Sequence, residues 1–209
     1  MEPLTTFRGT MAGIDRANID TDAIIPKEHL KSVSREGFDR ALFAEWRYRD
    51  DGSPDPEFVL NRPENQNARI LVAGSNFGCG SSREHAVWAL QQYGLRAIVA
   101  PWQGAGEDRT PAFADIFRNN ALNNGLLPIE LPPEEAEEIF NRLKASPGIE
   151  GSVDLEAQVL TVHDAGGEAT YRFAIEDTVR ERLLRGEDLI DLTLRHEHAI
   201  TEYESGHSE

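Results

Sequence analysis

Two short apolar segments in the first half of the chain predict buried strands on either side of a helix. The first covers residues 68–74 and ends in glycine, and the second covers residues 97–100. Both are too short for an ordinary helix. Between them, apolar residues recur at helical spacing from Ala86 to Tyr93, and Gly94 stands where a helix C-terminal glycine is expected. Strand, loop, helix and strand at this spacing predict a βαβ unit with parallel strands and a right-handed crossover.

The second half of the chain predicts further helices and strands. Apolar periodicity with glycine or proline stops predicts helices over 112–124, 133–145, 179–184 and 196–204, and a strand over 126–131. Alternating apolar residues around 153–157 and 171–175 predict two strands that pair as a hairpin across Gly166 and Gly167. Residues 48–67, rich in Asp, Asn and Pro, predict a surface loop. The predicted fold class is mixed α/β.

Composition places the chain among soluble globular proteins. Hydrophobic residues make up 39% and charged residues 28% of its 209 positions, without a fixed-period repeat. One domain over residues 1–209 is expected at this length. The first residues form no apolar signal segment, and no stretch approaches the roughly 18 apolar residues of a membrane span, so we expect a cytoplasmic protein. The 37 acidic residues outnumber the 21 basic ones, which opposes binding to nucleic acid or an anionic membrane.

Cys79 is the one cysteine in the sequence. It cannot form an internal disulfide, and it cannot alone hold a zinc ion or an iron–sulfur cluster, which need about four ligands. We therefore expect that this chain binds no metal and that any catalytic metal comes from elsewhere. A thiol nucleophile formed by Cys79 and His85 is an alternative role, although six residues of separation do not place the imidazole beside the sulfur.

The loop between the first predicted strand and its helix has the composition of an anion site. Gly78 and Gly80 allow positive φ angles and a close approach of the backbone to a ligand. The helix that begins near Ser82 directs its free N–H groups at the same place. The sequence therefore predicts a site for a small anion, either a carboxylate or a phosphate.

Side chains around this loop add hydrogen-bonding groups. Ser81 and Ser82 offer hydroxyls, Arg83 offers a bidentate clamp, and His85 offers an acid or a hydrogen-bond donor. The third glycine of a dinucleotide-binding loop is missing, and so is the Gly-Lys-Ser/Thr of a phosphate-binding P-loop. Ser81 and Glu84 also fit a simple capping box, with Arg83 as a solvated first-turn residue, so spacing alone leaves both interpretations open.

Residues 76–86, Asn-Phe-Gly-Cys-Gly-Ser-Ser-Arg-Glu-His-Ala, followed by Trp-Ala-Leu at 88–90, resemble the signature of the small subunits of 3-isopropylmalate dehydratase. Residues 15–26, 113–120, 125–128 and 192–194 and the final helix resemble the same family, in the same order. The resemblance covers nearly the whole chain. It is more specific for the aconitase-like superfamily than for the substrate of one member.

This resemblance implies a swivelling β/β/α domain, as in the last domain of aconitase, present here as a separate polypeptide. It implies a heteromeric hydro-lyase that isomerises 2-isopropylmalate to 3-isopropylmalate by dehydration and rehydration in leucine biosynthesis. A [4Fe–4S] cluster is expected on a partner large subunit, because elimination of a hydroxyl calls for a Lewis acid. The alternatives are the same chemistry on a methylmalate- or homocitrate-type substrate, a non-catalytic anion-binding interaction module, and a cysteine-dependent acyltransferase.

The resemblance also implies roles for individual residues. Ser81 matches the serine that acts as the base toward the proton beside a carboxylate, and Ser82 and Arg83 match residues that bind a substrate carboxylate. Thr21 and Asp22 match a pair that lies near the site and are candidate substrate-binding residues, although a turn before residue 23 would also account for Asp22. The supporting loop residues are Gly78, Cys79, Gly80 and His85.

Three further segments bear on these expectations. Residues 29–35 lie where the family has a loop that contributes to substrate choice, so Arg35 is a candidate second carboxylate contact, with a solvated surface arginine as the alternative. His196 and His198 are two apart on the predicted final helix and point to different faces, so we do not expect metal ligands there. The chain departs from the family by an insertion at 102–111, expected to be a surface loop, to touch the partner or to narrow the pocket.

Overall fold

The computed structural model describes residues 1–31, 36–188 and 191. Its strands are β1 (Thr6–Ile14), β2 (Ile70–Ala73), β3 (Ala97–Pro101), β4 (Leu127–Leu131), β5 (Glu150–Asp154), β6 (Val159–Asp164) and β7 (Gly167–Arg172). In the described part of the chain they form one seven-stranded sheet in the order β4-β3-β2-β1-β5-β6-β7. Strands β1 to β4 pair in parallel, and β5 to β7 continue from β1 with antiparallel pairing. We refer to β1–β4 with their connections as the parallel half and to β5–β7 as the antiparallel half.

Helices cover both faces of the parallel half of this sheet, whereas β5–β7 alternate buried residues with accessible ones and bury one face. The helices are α1 (Thr21–Ile24), α2 (Ala44–Arg47), α3 (Glu84–Tyr93), α4 (Asp115–Asn124), α5 (Pro133–Ala145) and α6 (Asp177–Arg185). Side chains alternate along β2, so that Leu71 joins a core beneath α3 and α4 while Ile70 joins a core beneath α5 and α6. All four residues of β2 and all five of β3 are buried, as expected for parallel strands that are covered on both sides.

Most of the predicted helices and strands are confirmed. β2, α3 and β3 form the parallel βαβ unit, and Gly94 ends α3 with a φ of 117°. Helix α5 has the predicted bounds, and β4 and α6 cover the predicted segments. Residues 48–67 contain short 3₁₀ turns rather than α-helix or strand, but Leu60 at 2% exposure anchors this loop in the core.

The strand β1, at the centre of the sheet, has no counterpart among the sequence predictions. Its sequence contains Gly9 and Gly13, which weaken the signal of a strand. Both glycines are needed for packing, because a Cβ atom at Gly9 would lie 2.6 Å from the Arg69 side chain and one at Gly13 would lie 3.0 Å from Leu143. The two glycines therefore weaken the strand signal in the sequence and at the same time allow Arg69 and Leu143 to pack closely against β1.

The predicted two-stranded hairpin is wrong in its pairing. The strand that contains Tyr171 pairs with β6, and β6 in turn pairs with β5, so the segment is a three-stranded meander. The chain already reverses after β5, where Asp154 Oδ1 accepts a hydrogen bond from Ala157 N at 2.8 Å and Gln158 adopts a φ of 56°. The predicted turn at Gly166 and Gly167 is real, but it joins β6 to β7.

Several sequence predictions lie outside the described residues. They concern Arg35, the family-like segment 192–194, and the final helix at 196–204 with His196 and His198.

Candidate active site

The candidate site lies beyond the carboxyl ends of β1, β2 and β3, the edge where α/β proteins bind their ligands. Backbone hydrogen bonds join the segment after β1 to the loop after β2. Gly78 N donates to the Ile19 carbonyl at 2.7 Å, and Thr21 N donates to the Cys79 carbonyl at 2.9 Å. Two segments about 60 residues apart in sequence are thus held side by side.

The segment after β3 is attached to the same loop. Asn76 N donates to the Pro111 carbonyl at 2.9 Å, and Phe77 forms a parallel bridge with Phe113. Because residues 112–114 are extended in this pairing, α4 begins at Asp115, and the prediction that the helix starts at residue 112 is wrong. The first turn of α4 therefore reaches the site as one of its walls.

Gly78 and Gly80 have the positive φ angles that the sequence predicts, at 75° and 89°. A Cβ atom at Gly78 would lie closer than 3.0 Å to Phe117, a separation that real Cβ atoms do not show. The Phe117 ring packs edge-on against Phe77 at 5.1 Å between centroids. Gly78 is therefore required both by its conformation and by the helix packed on it.

The backbone of Ser81 is held by a buried threonine. Thr21 is 2% exposed, and its hydroxyl donates to the Ser81 carbonyl at 2.9 Å. The Ser81 and Ser82 residues themselves are exposed. Among the described residues the Ser81 hydroxyl has no hydrogen-bond partner. Thr21 thus fixes the position of a serine whose own hydroxyl remains accessible.

Arg83 is largely buried and forms an ion pair with Asp22. The Arg83 side chain is 10% exposed, and its Nη1 donates to Asp22 Oδ1. This hydrogen bond lowers the pKa of the Asp22 carboxyl below its ordinary value, and Lys27 at 3.8 Å adds to the effect. The alternative of Arg83 as a solvated residue is wrong, because Arg83 and Asp22 join the loop after β2 to α1.

The predicted capping box of Ser81 and Glu84 is wrong. The N-cap residue of α3 is Arg83, and its side chain makes no cap hydrogen bond. Glu84 Oε1 instead accepts a hydrogen bond from Asn124 Nδ2 at 3.0 Å, because the start of α3 lies beside the end of α4. The N-terminus of the ten-residue helix α3, the positive end of its dipole, therefore lies beside Ser81 without a capping-box hydrogen bond.

These elements border an open cavity of about 260 Å³. One side carries hydroxyls and a guanidinium, and the other carries the first turn of α4. The lining residues are Thr21, Gly78, Gly80, Ser81, Ser82, Arg83, Ala114, Asp115, Ile116 and Phe117. The structure therefore brings Thr21, Ser81, Ser82 and Arg83 together as the sequence predicts. The structure adds residues 114–117 as a wall of the cavity. The sequence contains the family-like motif at 113–120 but predicted no role for it in the site.

Cys79 and His85 do not have the environment of a thiol nucleophile. Burial raises the pKa of the Cys79 thiol, and the charge of Asp20 raises it further, so the thiol stays protonated at neutral pH. The His85 ring packs against Phe38 and Trp88, with centroids 5.4 and 4.7 Å away. His85 thus contributes packing between α3 and its neighbours.

The insertion at 102–111 forms a small loop of its own. Gln103 and Thr110 form an antiparallel bridge across it. The Arg109 guanidinium lies 4.6 Å from the Trp102 ring centroid and 2.7 Å from Glu130 Oε1 in β4. The described cavity beside Ser81 has no lining residue from this insertion.

No group of three or more His, Cys, Asp or Glu residues with the geometry of a metal site occurs in residues 1–31, 36–188 and 191. Nor does any helix within these ranges have the length and apolar character needed to cross a membrane.

With this fold and this loop cluster in place, comparison with known proteins defines the class. Residues 1–134 match the family model of the aconitase C-terminal domain, and the chain belongs to that family. The match covers the parallel half, including every described residue that lines the cavity. The predicted α/β fold of the last domain of aconitase is thereby confirmed.

Relatives place the chain more narrowly, among the small subunits of 3-isopropylmalate dehydratase. It is 52% identical over 205 residues to the 3-isopropylmalate dehydratase small subunit of Desulforapulum autotrophicum, covering 98% of this chain and 95% of the relative. It is 50% identical over 208 residues to the small subunit from Anoxybacillus flavithermus, covering 100% of both. A crystal structure of 3-isopropylmalate dehydratase from Methanocaldococcus jannaschii shares the fold, with a TM-score of 0.65 and 24% identity over 95% of this chain and 99% of that one.

Proposed function

We propose that the chain, acting as a single domain, is the small subunit of a cytoplasmic hydro-lyase that isomerises 2-isopropylmalate to 3-isopropylmalate in leucine biosynthesis. Relatives named 3-isopropylmalate dehydratase small subunit match 98% and 100% of the chain. The observation that carries the proposal is the cavity in which an accessible Ser81, the start of α3 and the Arg83–Asp22 pair converge. Such a site suits a small anion that must lose and regain a proton.

Ser81 is the proposed base. As the alkoxide, Ser81 would take the proton beside a substrate carboxylate in the dehydration, and the hydroxyl so formed would give a proton to the neighbouring carbon in the rehydration. A serine alkoxide is unfavourable in water, but the positive end of α3 and the Arg83 guanidinium stabilise negative charge, and they do so most effectively when water is excluded. Thr21 keeps this serine in place through the Ser81 carbonyl.

Ser82 and Arg83 are the proposed carboxylate contacts. A guanidinium has five N–H donors, so Arg83 can hold Asp22 and still bind a carboxylate. Asp22 would orient Arg83 rather than meet the substrate directly. Arg35, outside the described residues, is the proposed second carboxylate contact, and Gly78, Cys79, Gly80 and His85 support the loop.

The side chains of this chain do not fit an iron–sulfur cluster. Its single cysteine is half-buried and protonated, and the described residues offer no set of metal ligands. We therefore propose that a [4Fe–4S] cluster resides on a partner large subunit. The same subunit would close the open cavity and exclude water from Ser81.

The experiment is reconstitution with a cluster-bearing large subunit. We expect no turnover by either chain alone and interconversion of 2- and 3-isopropylmalate by the pair. Preferred turnover of a methylmalate- or homocitrate-type substrate would keep the chemistry and correct the substrate. Failure of the two chains to associate, together with tight carboxylate binding by this chain alone, would instead indicate a non-catalytic module.

A further inference from the structure

The side chain of Ile116 is unusual on this molecule. Within the described residues it is the one large hydrophobic side chain that is exposed, at 52%. A single exposed isoleucine carries no meaning by itself, since such residues are common on protein surfaces. Its position does carry meaning, because Ile116 lines the same cavity as Ser81, Ser82 and Arg83.

The backbone at Ile116 is fixed relative to the loop after β2 that contains Ser81. It is the second residue of α4, and the bridge between Phe77 and Phe113 attaches the preceding segment to that loop. The next residue, Phe117, is 2% exposed and packs directly on Gly78. Ile116 therefore faces the cavity from a rigid support, as a residue that selects a substrate must.

The cavity is divided by chemistry. Ser82 and Arg83 form a polar side suited to a carboxylate, and the wall at 114–117 contributes the apolar side chains of Ala114, Ile116 and Phe117 together with Asp115. A substrate of the proposed function carries carboxylates and a branched alkyl group. Binding sites of this kind pair a few polar groups that set orientation with apolar side chains that bury the rest of the ligand.

We propose that Ile116 is a specificity-determining residue whose side chain contacts the alkyl group of the substrate while Arg83 holds a carboxylate. This inference rests on the proposed function. It assigns substrate choice partly to the first turn of α4. Removal of methyl groups from such a contact reduces discrimination by roughly tenfold or more.

The test compares the assembled wild-type enzyme with Ile116→Ala and with Ile116→Leu, which retains apolar volume. Two quantities are measured: kcat/KM for 2-isopropylmalate, and the inhibition constant of malate, which has both carboxylates but no alkyl group. For Ile116→Ala we expect a loss of about tenfold or more in kcat/KM, mainly through KM, with the malate constant changed less than about twofold. For Ile116→Leu both quantities should stay within about threefold of wild type.

Gel filtration of each variant with the large subunit measures assembly, and so distinguishes an effect on substrate recognition from an effect on subunit contact. Equal effects on 2-isopropylmalate and malate, or weaker assembly of Ile116→Ala with the large subunit, would overturn the inference and leave the proposed function standing. A wild-type pair that assembles but does not turn over 2-isopropylmalate would overturn the proposed function and this inference with it.

Discussion

Two serines in different halves of the molecule have opposite surroundings. In the antiparallel half, Ser152 Oγ lies 2.8 Å from His163 Nε2, and His163 Nδ1 lies 3.0 Å from Glu168 Oε1. In the parallel half, the Ser81 hydroxyl has no hydrogen-bond partner among the described residues. By side-chain pairing alone, Ser152 resembles an activated serine more closely than Ser81 does.

The surroundings of the two backbones favour Ser81 over Ser152. Ser152 pairs with Arg8 on one side and Thr161 on the other, so its peptide groups are used within the sheet and cannot stabilise an anion. Ser81 lies in a cavity beside the start of α3, where helix N–H groups have no ladder partner. The comparison teaches that Ser81, unlike Ser152, has unpaired backbone donors and a concave surface beside it, which are the surroundings that the proposed base requires.

The largest effect is expected from Gly78→Ala. The new Cβ atom would clash with the Phe117 side chain, and the loop would hold alanine at a positive φ. Both the loop and α4 must therefore shift. We expect a loss of about 3 kcal/mol or more in the free energy of unfolding and no measurable activity in the reconstituted enzyme. The matched control in the antiparallel half is Gly167→Ala, which also has a positive φ but meets nothing within 4 Å. Denaturant unfolding should show a smaller loss for the control, about 1–2 kcal/mol, which comes from the positive φ alone.

A smaller effect is expected when the Arg83–Asp22 pair is altered. Arg83→Lys keeps the charge but loses the planar fork, and Asp22→Asn removes the partner that orients it. We expect each to lower kcat/KM of the assembled enzyme by about 100-fold. Wild-type rates for either variant would show that the pair serves only the fold.

The same pair makes a prediction about pH. Arg83 lowers the pKa of the Asp22 carboxyl in the folded protein. The ion pair therefore contributes its full stability above the unfolded pKa of about 3.9. This contribution is lost as the pH falls through the lower pKa of the folded protein. Titration of the Asp22 carboxyl by NMR should show a midpoint below about 3.9 that rises in Arg83→Gln. An unchanged midpoint in the variant would contradict the ion pair.

A still smaller effect is expected from Cys79→Ser. The raised pKa keeps the thiol protonated, so it has no nucleophilic role to lose. Activity of the assembled enzyme should remain within about threefold of wild type. A loss comparable to that of the Arg83 variants would revive the thiol alternative.

No effect on activity is expected from Arg142→Gln in the antiparallel half. Arg142 Nη1 lies 2.8 Å from Asp164 Oδ2, whose side chain is 8% exposed, so the pair joins α5 to β6 away from the site. The free energy of unfolding should fall by about 1 kcal/mol while kcat and KM stay at wild-type values. A change in kcat would show that the antiparallel half is coupled to the chemistry.

The sequence predicted the elements whose signals are local. β2, α3, β3 and α5 have clear apolar patterns with glycine or proline stops, and positive φ angles follow from Gly78 and Gly80. β1 was not predicted because its glycines, which weaken a strand pattern, are required by contacts with residues far along the chain. The capping box at Ser81 failed because Thr21, 60 residues earlier, holds that serine instead. Ile116 could not be singled out, since its exposure depends on how residues 112–114 pair with the loop.

The central claim, that Ser81 is the base, is tested most directly by Ser81→Ala beside Ser152→Ala in the reconstituted enzyme. Both variants should fold and assemble as wild type does. We expect Ser81→Ala to lower kcat by about 10³-fold and to slow exchange of the substrate proton with deuterated solvent equally, with KM nearly unchanged, while Ser152→Ala leaves all three at wild-type values. Proton exchange and turnover by Ser81→Ala within about tenfold of wild type would contradict the account.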